Sequence, residues 1–172
     1  MAPHEADAAS VAATFEVLVR PWMDEMYRAA AAMVGEADAR DVTQEALLDA
    51  WRGFTRIRDP ERLRAWLHAI VANRARKHLR ARRSRPRVVP ILDWPEGTVD
   101  DRSTVLAERD RLDRAFELLP ADLRIALALH YALDLSVPQV AAALSVPDGT
   151  VKSRIHAGVE RLRAVLVAED KL

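Results

Sequence analysis

Between Leu63 and Val71 the apolar residues fall at Leu63, Trp66, Leu67, Ile70 and Val71, steps of three and four that put them on one face of an α-helix. The same spacing recurs along most of the chain. Phe15, Leu18, Val19, Trp22, Met26, Ala30 and Met33 form an earlier stripe, with Pro21 bending or resetting it and Gly35 closing it. Between them, residues 37–53 are expected to bury Leu47, Leu48, Trp51 and Phe54 and to leave Asp38, Asp41, Gln44, Glu45 and Asp49 polar. Pro60 suits the first turn of the helix that carries the 63–71 stripe. Only 5 of the 172 residues are glycine, aromatics are 5%, and alanine is abundant, a mixture that favours helix over sheet. The expected fold class is therefore all-α.

The chain has room for one ordinary domain or two small helical ones, and its charge pattern favours two. Eight Arg or Lys and no Asp or Glu lie between Arg74 and Arg87. From Asp93 to Asp101 the sign reverses, with Asp93, Glu96, Asp100 and Asp101 set among Pro90, Pro95 and Gly97. Residues 84–104 read as a flexible linker between a first domain, 12–83, and a second, 105–168. Helical spacing returns with Val105, Leu112, Phe116 and Leu119, and Pro120 starts a helix containing Leu123, Leu127 and Tyr131.

The net charge is zero, from 26 basic and 26 acidic residues, so the distribution of charge is more informative than its sum. The 74–87 run carries a local charge of +8 with no acid inside it, which suits phosphate. Residues 36–49 carry five acids against Arg40 alone, which suits a basic protein partner or water. Trp51 and Trp66 lie on apolar stripes and read as core anchors.

Enzyme readings fare badly. His4, His68, His78, His130 and His156 show no zinc-type pairing, and the glycines supply neither GxGxxG nor GxxxxGK. No serine has the context of a strained nucleophile turn. With no cysteine, a disulfide or thiolate metal site is excluded. No catalytic, metal or cofactor residues are assigned. The first ten residues do not read as a signal peptide, and no apolar run approaches the ~20 residues needed to span a bilayer. A cytoplasmic protein without membrane insertion is expected.

Ser136 looks like the N-cap of a short helix through Leu144, and Asp148-Gly149 could open a long one. A short helix, a tight turn and a longer helix in this order suit a helix-turn-helix, with Val140, Ala141, Leu144, Val151 and Ile155 at the crossing. Thr150, Lys152, Ser153, Arg154 and His156 then occupy the start of the second helix, where base edges or phosphates are met. An ordinary helical hairpin with a solvated face is the competing reading. Asn73 could read a base, since its amide donates and accepts together, or could be a plain surface residue.

Three segments together, Asp41-Val42-Thr43-Gln44-Glu45-Ala46-Leu47-Leu48-Asp49-Ala50-Trp51, Trp66-Leu67 with Asn73, and Gly149-Thr150-Val151-Lys152-Ser153-Arg154, resemble a bacterial sigma factor of the extracytoplasmic-function (ECF) group. The resemblance covers about residues 12–168 and implies that 12–83 is sigma region 2 and 105–168 sigma region 4. It implies a specificity factor that binds core RNA polymerase and directs initiation through the −10 and −35 promoter elements. Asp41, Gln44, Glu45 and Asp49 would meet the coiled coil of the β′ subunit, and region 4 the β flap. Arg58, Arg62, Asn73, Arg74, Arg76, Lys77 and Arg80 would serve the −10 element. Thr150, Lys152, Ser153, Arg154, His156 and Arg161 would serve the −35 element. The resemblance also implies an anti-sigma partner, and a linker that threads the polymerase channel. Gln139 stands where many relatives have Glu, so promoter spelling is not inherited. Two other readings compete: a stand-alone helix-turn-helix operator-binding regulator leaves the acidic helix and linker unexplained, and a helical interaction or membrane-surface module leaves the final hairpin idle.

Overall fold

A computed structural model describes residues 3–57, 59–83 and 110–169, and every regular element among them is helical. The expected linker, 84–104, and Arg58 lie outside the described residues. None of the described helices is long and apolar enough to cross a membrane.

Helix α1 (Pro3–Val19) runs into a single 3₁₀ turn, Arg20–Trp22, and then into α2 (Met23–Val34), so Pro21 resets the helix as expected. Gly35 ends α2 at φ 89°, a conformation that β-carbon-bearing residues avoid. Its N–H donates to Ala31 O at 2.9 Å, and the chain turns directly into α3 (Glu36–Gly53). Short 3₁₀ turns at Phe54–Arg56 and Pro60–Arg62 lead to α4 (Leu63–Arg83). Met26, Ala30 and Met33 of α2, Val42 and Ala46 of α3, and Leu67 and Val71 of α4 are fully buried together. Burying each large side chain contributes about 1.5–3 kcal/mol. This three-helix packing positions the outer faces of α3 and α4.

The face of α3 differs from the sequence expectation. Ala39, Val42, Thr43, Ala46 and Ala50 point inward, while Leu48 is 54% and Trp51 42% exposed. Small residues let α3 lie close to α2 and α4, and the larger apolar side chains are displaced to the rim. Trp51 meets Phe15 in a T-shaped contact, ring centroids 5.2 Å apart. Trp66, by contrast, packs against the core as expected.

His68 is buried between α2 and α4, its Nε2 3.1 Å from Glu25 Oε1, the oxygen that also accepts from Arg64 Nε at 2.9 Å. Arg64 in turn lies over the Trp22 ring. Burial pulls the imidazole below its ordinary value of 6.5, and Glu25 only partly offsets this. Below 6.5 the unfolded chain therefore binds a proton that the folded chain resists, so stability falls as pH falls toward the folded-state value. We expect His68→Gln to lose less stability than the parent between about pH 7.5 and 5.5 in urea titrations. Equal losses in the two proteins would remove His68 from the acid response.

In the second domain, residues 110–117 form α5, followed by α6 (Ala121–Leu127), which continues as a π turn, Ala128–Ala132. The π turn shifts the helical phase: Tyr131 is 61% exposed, while Leu129, Leu133 and Leu135 are buried. The His130 ring closes the turn, with Nδ1 donating to Leu135 O at 2.7 Å. Leu112, expected on the core stripe, is 46% exposed. Helix α7 (Val137–Leu144) starts at a capping box in which the Gln139 side chain accepts the Ser136 N–H at 2.8 Å. Ser145 ends it in the left-handed conformation, φ 54°, and Val146 N–H returns to Ala141 O at 3.1 Å. Helix α8 (Asp148–Glu169) follows, crossing α7 through Val140 and Val151 and α6 through Gly158.

A Cβ added at Gly158 would lie 2.7 Å from Leu127 Cδ1 and 3.0 Å from its Cγ, and Leu127 is itself buried. Gly158→Val should therefore destabilise the chain by about 1–3 kcal/mol, as overpacking does. Thermal unfolding measures this; an unchanged midpoint would mean that α8 is free to move off α6.

Candidate protein-docking and nucleic-acid interfaces

On α3, Asp41, Gln44, Glu45 and Leu48 are exposed at the i, i+3, i+4, i+7 positions of one face. A row of polar groups with an apolar side chain at its end, backed by a rigid packed helix, is suited to docking a basic, partly apolar protein surface. Asp49 lies to the side of this row. Both its oxygens accept from the Arg74 guanidinium, which also reaches Glu45 Oε2 at 3.0 Å through Nη1. Arg74 first of all, with burial opposing and Arg52 assisting, holds the Asp49 carboxyl below the usual carboxylate range. Arg74 is thus paired with the acidic helix.

The basic run expected to be uncompensated is partly neutralised by acids from other elements. Arg74 takes Asp49, Arg76 Nε donates to Asp122 Oδ1 at 2.8 Å, and Arg82 Nη1 donates to Asp38 Oδ2 at 2.6 Å. Asn73, Lys77 and Arg80 form the exposed row of α4. The Asn73 carbonyl accepts from Arg76 Nη1 at 2.8 Å, which fixes the amide and leaves its NH₂ to donate elsewhere. Arg62 is exposed beside Asp59, 3.4 Å away, at the mouth of a cleft of about 750 Å³. Ile57, Asp59, Arg62 and Trp66 line it from the first domain, Ala142 and Ser145 from the second.

On α8, Lys152, Ser153 and His156 form one exposed row, with Arg161 exposed further along. Ser153 Oγ donates to Thr150 O at 2.9 Å, and Thr150 is half-buried. Arg154 leaves that row: it is half-buried on another side of the helix, and its Nη1 is buried without a hydrogen-bond partner. The sequence reading also passed over Asp38 and Asp122 as partners of the basic helix, and over Arg124, which is buried in α6 with its guanidinium 5.6 Å from the Phe116 ring centroid. An acid in the first turn of a helix is so ordinary that nothing marked Asp122 as a partner of Arg76.

The family model of sigma-70 region 2 matches residues 18–85, and that of sigma-70 region 4 matches residues 109–162. The RNA polymerase sigma-E factor of Streptomyces coelicolor is 33% identical over 157 residues, covering 91% of this chain and 88% of the relative. The chain belongs to the ECF group of the sigma-70 family. The ECF RNA polymerase sigma factor SigL of Mycobacterium tuberculosis is 34% identical over 170 residues, 94% of this chain and 96% of its own. Among solved structures, CnrH in complex with the cytosolic domain of CnrY is similar with a TM-score of 0.65 and 26% identity, covering 94% of this chain and 95% of CnrH. Sigma region 2 is thus the α2–α4 bundle with its 3₁₀ turns, and sigma region 4 contains the helix-turn-helix.

Proposed function

We infer that the chain is an alternative sigma factor that binds core RNA polymerase and directs initiation through −10 and −35 recognition. The observation that carries this reading is the presence, in one sigma-70 chain, of the exposed Asp41–Gln44–Glu45–Leu48 face and a complete helix-turn-helix. A stand-alone operator-binding regulator needs only the latter.

In this reading the α3 face docks on the β′ coiled coil, and Arg74 positions Asp49 and Glu45 for that contact. Region 4 meets the β flap. Arg58 and Arg62, with the α4 row Asn73, Lys77 and Arg80, handle the −10 element, and Arg76 joins them once it leaves Asp122. Extracting a base from the duplex costs a few kcal/mol, which loop and helix contacts must offset. Thr150, Lys152, Ser153 and His156 enter the major groove at the −35 element, with Arg154 and Arg161 toward phosphate. Each phosphate neutralised steepens the log–log salt dependence of binding by about 0.9. The sigma factor RpoE of Bartonella quintana, which shares this fold, was solved in complex with the anti-sigma factor NepR, and a partner of that kind is inferred here as well. The chain is assigned no catalytic role, and it acts in the cytoplasm, where its polymerase is.

The test is reconstitution: purified chain, core polymerase and the DNA upstream of the chain's own coding sequence. Chain-dependent initiation at a defined start is the expected result. Tight duplex binding without any effect on polymerase would contradict the reading.

A further inference from the structure

The apolar packing of α4 stops short of its basic end. Leu63, Leu67, Val71, Ala72 and Ala75 are buried, but among the described side chains of α4 from Arg76 onward none is, and Leu79 is half-buried. This stretch carries Arg76, Lys77, Arg80, Arg82 and Arg83. Cations three or four positions apart on a helix, such as Arg76 and Arg80, repel each other. Burial therefore does little to hold the turns that carry Lys77 and Arg80. Yet phosphate contacts fix how a protein is seated on DNA, so these turns need a defined register.

Asp38, in the first turn of α3, supplies the hold. Its Oδ2 accepts from Arg82 Nη1 at 2.6 Å and lies 3.1 Å from His78 Nε2, so one carboxylate ties two successive turns of α4. The Asp38 side chain is half-buried against α4, whereas Asp41, Gln44, Glu45 and Leu48 form the exposed docking row. Arg82 in turn points away from the DNA row. It lies nine positions after Asn73, about two and a half helical turns, and so projects from the opposite side of α4. Its bond to Asp38 thus withholds no cation of the Asn73–Lys77–Arg80 row from DNA. Arg76 is held by a different element, through Asp122 of the second domain.

We propose that Asp38 is a positioning residue for −10 recognition: from the polymerase-docking helix it fixes the last two turns of α4 through Arg82 and His78, and so sets the register in which Lys77 and Arg80 meet the DNA backbone. This role rests on the promoter-binding reading above. Two acids three positions apart on one helix then have different duties, Asp41 toward polymerase and Asp38 toward DNA. The sign of the effect is also the reverse of that expected from charge alone, since removing an acid beside a basic helix otherwise strengthens binding to a polyanion.

Wild-type and variant holoenzymes are compared on fork-junction DNA that carries the −10 segment of a start mapped by reconstitution and no −35 element. Affinity for core polymerase is measured separately. Asp38→Asn should lower DNA affinity roughly five- to tenfold near 0.1 M salt and reduce the magnitude of the log–log salt slope by about 1, the equivalent of one phosphate contact. Its affinity for core polymerase should stay within about twofold of wild type. Asp38→Glu keeps the charge and should restore most of the slope. Arg82→Gln should reproduce the loss, and Asp38→Asn should add little to it, because both break one contact. If Asp38→Asn fails to fold, Arg82→Gln, whose side chain is 52% exposed, carries the same prediction. Glu36→Gln makes the same charge change in the same helical turn, on a side chain bonded to Tyr27 of α2 rather than to α4, and should leave DNA binding unchanged. Unchanged or raised DNA affinity in Asp38→Asn would overturn the proposal, as would a loss that adds fully to that of Arg82→Gln. A fall in polymerase affinity instead would make Asp38 part of the docking face and overturn it too. Initiation by the wild-type holoenzyme is measured on its own, so any of these results leaves the sigma-factor reading standing.

Discussion

Replacing Gln44 and Glu45 together with alanine is expected to weaken binding to core polymerase by about 30- to 700-fold, the loss of two interface polar contacts worth roughly 1–2 kcal/mol each. Both side chains are exposed in the middle of the α3 row, so the substitutions leave the core untouched. Glu45 gives up its 3.0 Å contact with Arg74, but Arg74 keeps both oxygens of Asp49, and an exposed pair of this kind contributes at most about 1 kcal/mol to folding. Titration against labelled core enzyme, with circular dichroism melting as the folding control, measures both. Wild-type affinity in the double variant would move the docking surface elsewhere.

The second large effect is expected on α8. Lys152→Ala should reduce initiation at a −35-dependent promoter by about 5- to 150-fold, the range of one good base contact of roughly 1–3 kcal/mol, and leave polymerase affinity unchanged. Lys152, Ser153 and His156 share the exposed row, whereas Arg154 sits off it, half-buried, with its Nη1 buried and without a hydrogen-bond partner. Arg154→Ala should for this reason reduce initiation less than Lys152→Ala does, since it loses a phosphate contact rather than a base contact. Start-site-resolved transcription on matched promoters, with and without an intact −35 element, separates the cases. If Lys152→Ala is equally harmful at promoters lacking that element, base recognition by this residue is excluded.

Much of the architecture was legible because helical periodicity, proline placement and capping chemistry agree locally. Pro21, Gly35, Pro60, Pro120 and Ser136 all stand at the boundaries they suggest. The phase of individual faces was less legible. Large apolar residues suggested that Leu48 and Trp51 face inward, but the α3 crossing is built from Ala39, Ala46 and Ala50, whose small size permits close approach and carries little hydropathy signal. The π turn at Ala128–Ala132 could not be read from spacing, because one inserted residue per turn changes the phase without leaving a compositional mark. Long-range ion pairs were invisible for a related reason. The Arg74–Asp49 and Arg76–Asp122 pairs join residues 25 and 46 positions apart, and a window of sequence shows only the unbalanced half of each. The segments that carry the proposed site residues could be placed because they form regular helices, on which Asp41, Gln44 and Glu45, Asn73, Lys77 and Arg80, and Lys152, Ser153 and His156 share exposed rows while Asp49, Arg74, Arg76, Thr150 and Arg154 are half-buried. Their division into outward-facing and seam-facing members needed the packing of one domain on the other.

The most direct test of the central claim, that one chain grips core polymerase through α3 while α4 and α8 select the promoter, is to map the 5′ ends of transcripts made by core enzyme on a genomic template with and without the purified chain. The account predicts a discrete set of new starts sharing two upstream sequence elements at fixed spacing, lost with the Gln44 and Glu45 double variant and redistributed with Lys152→Ala. New starts that share no upstream elements, or none at all while the chain binds duplex DNA normally, would contradict it.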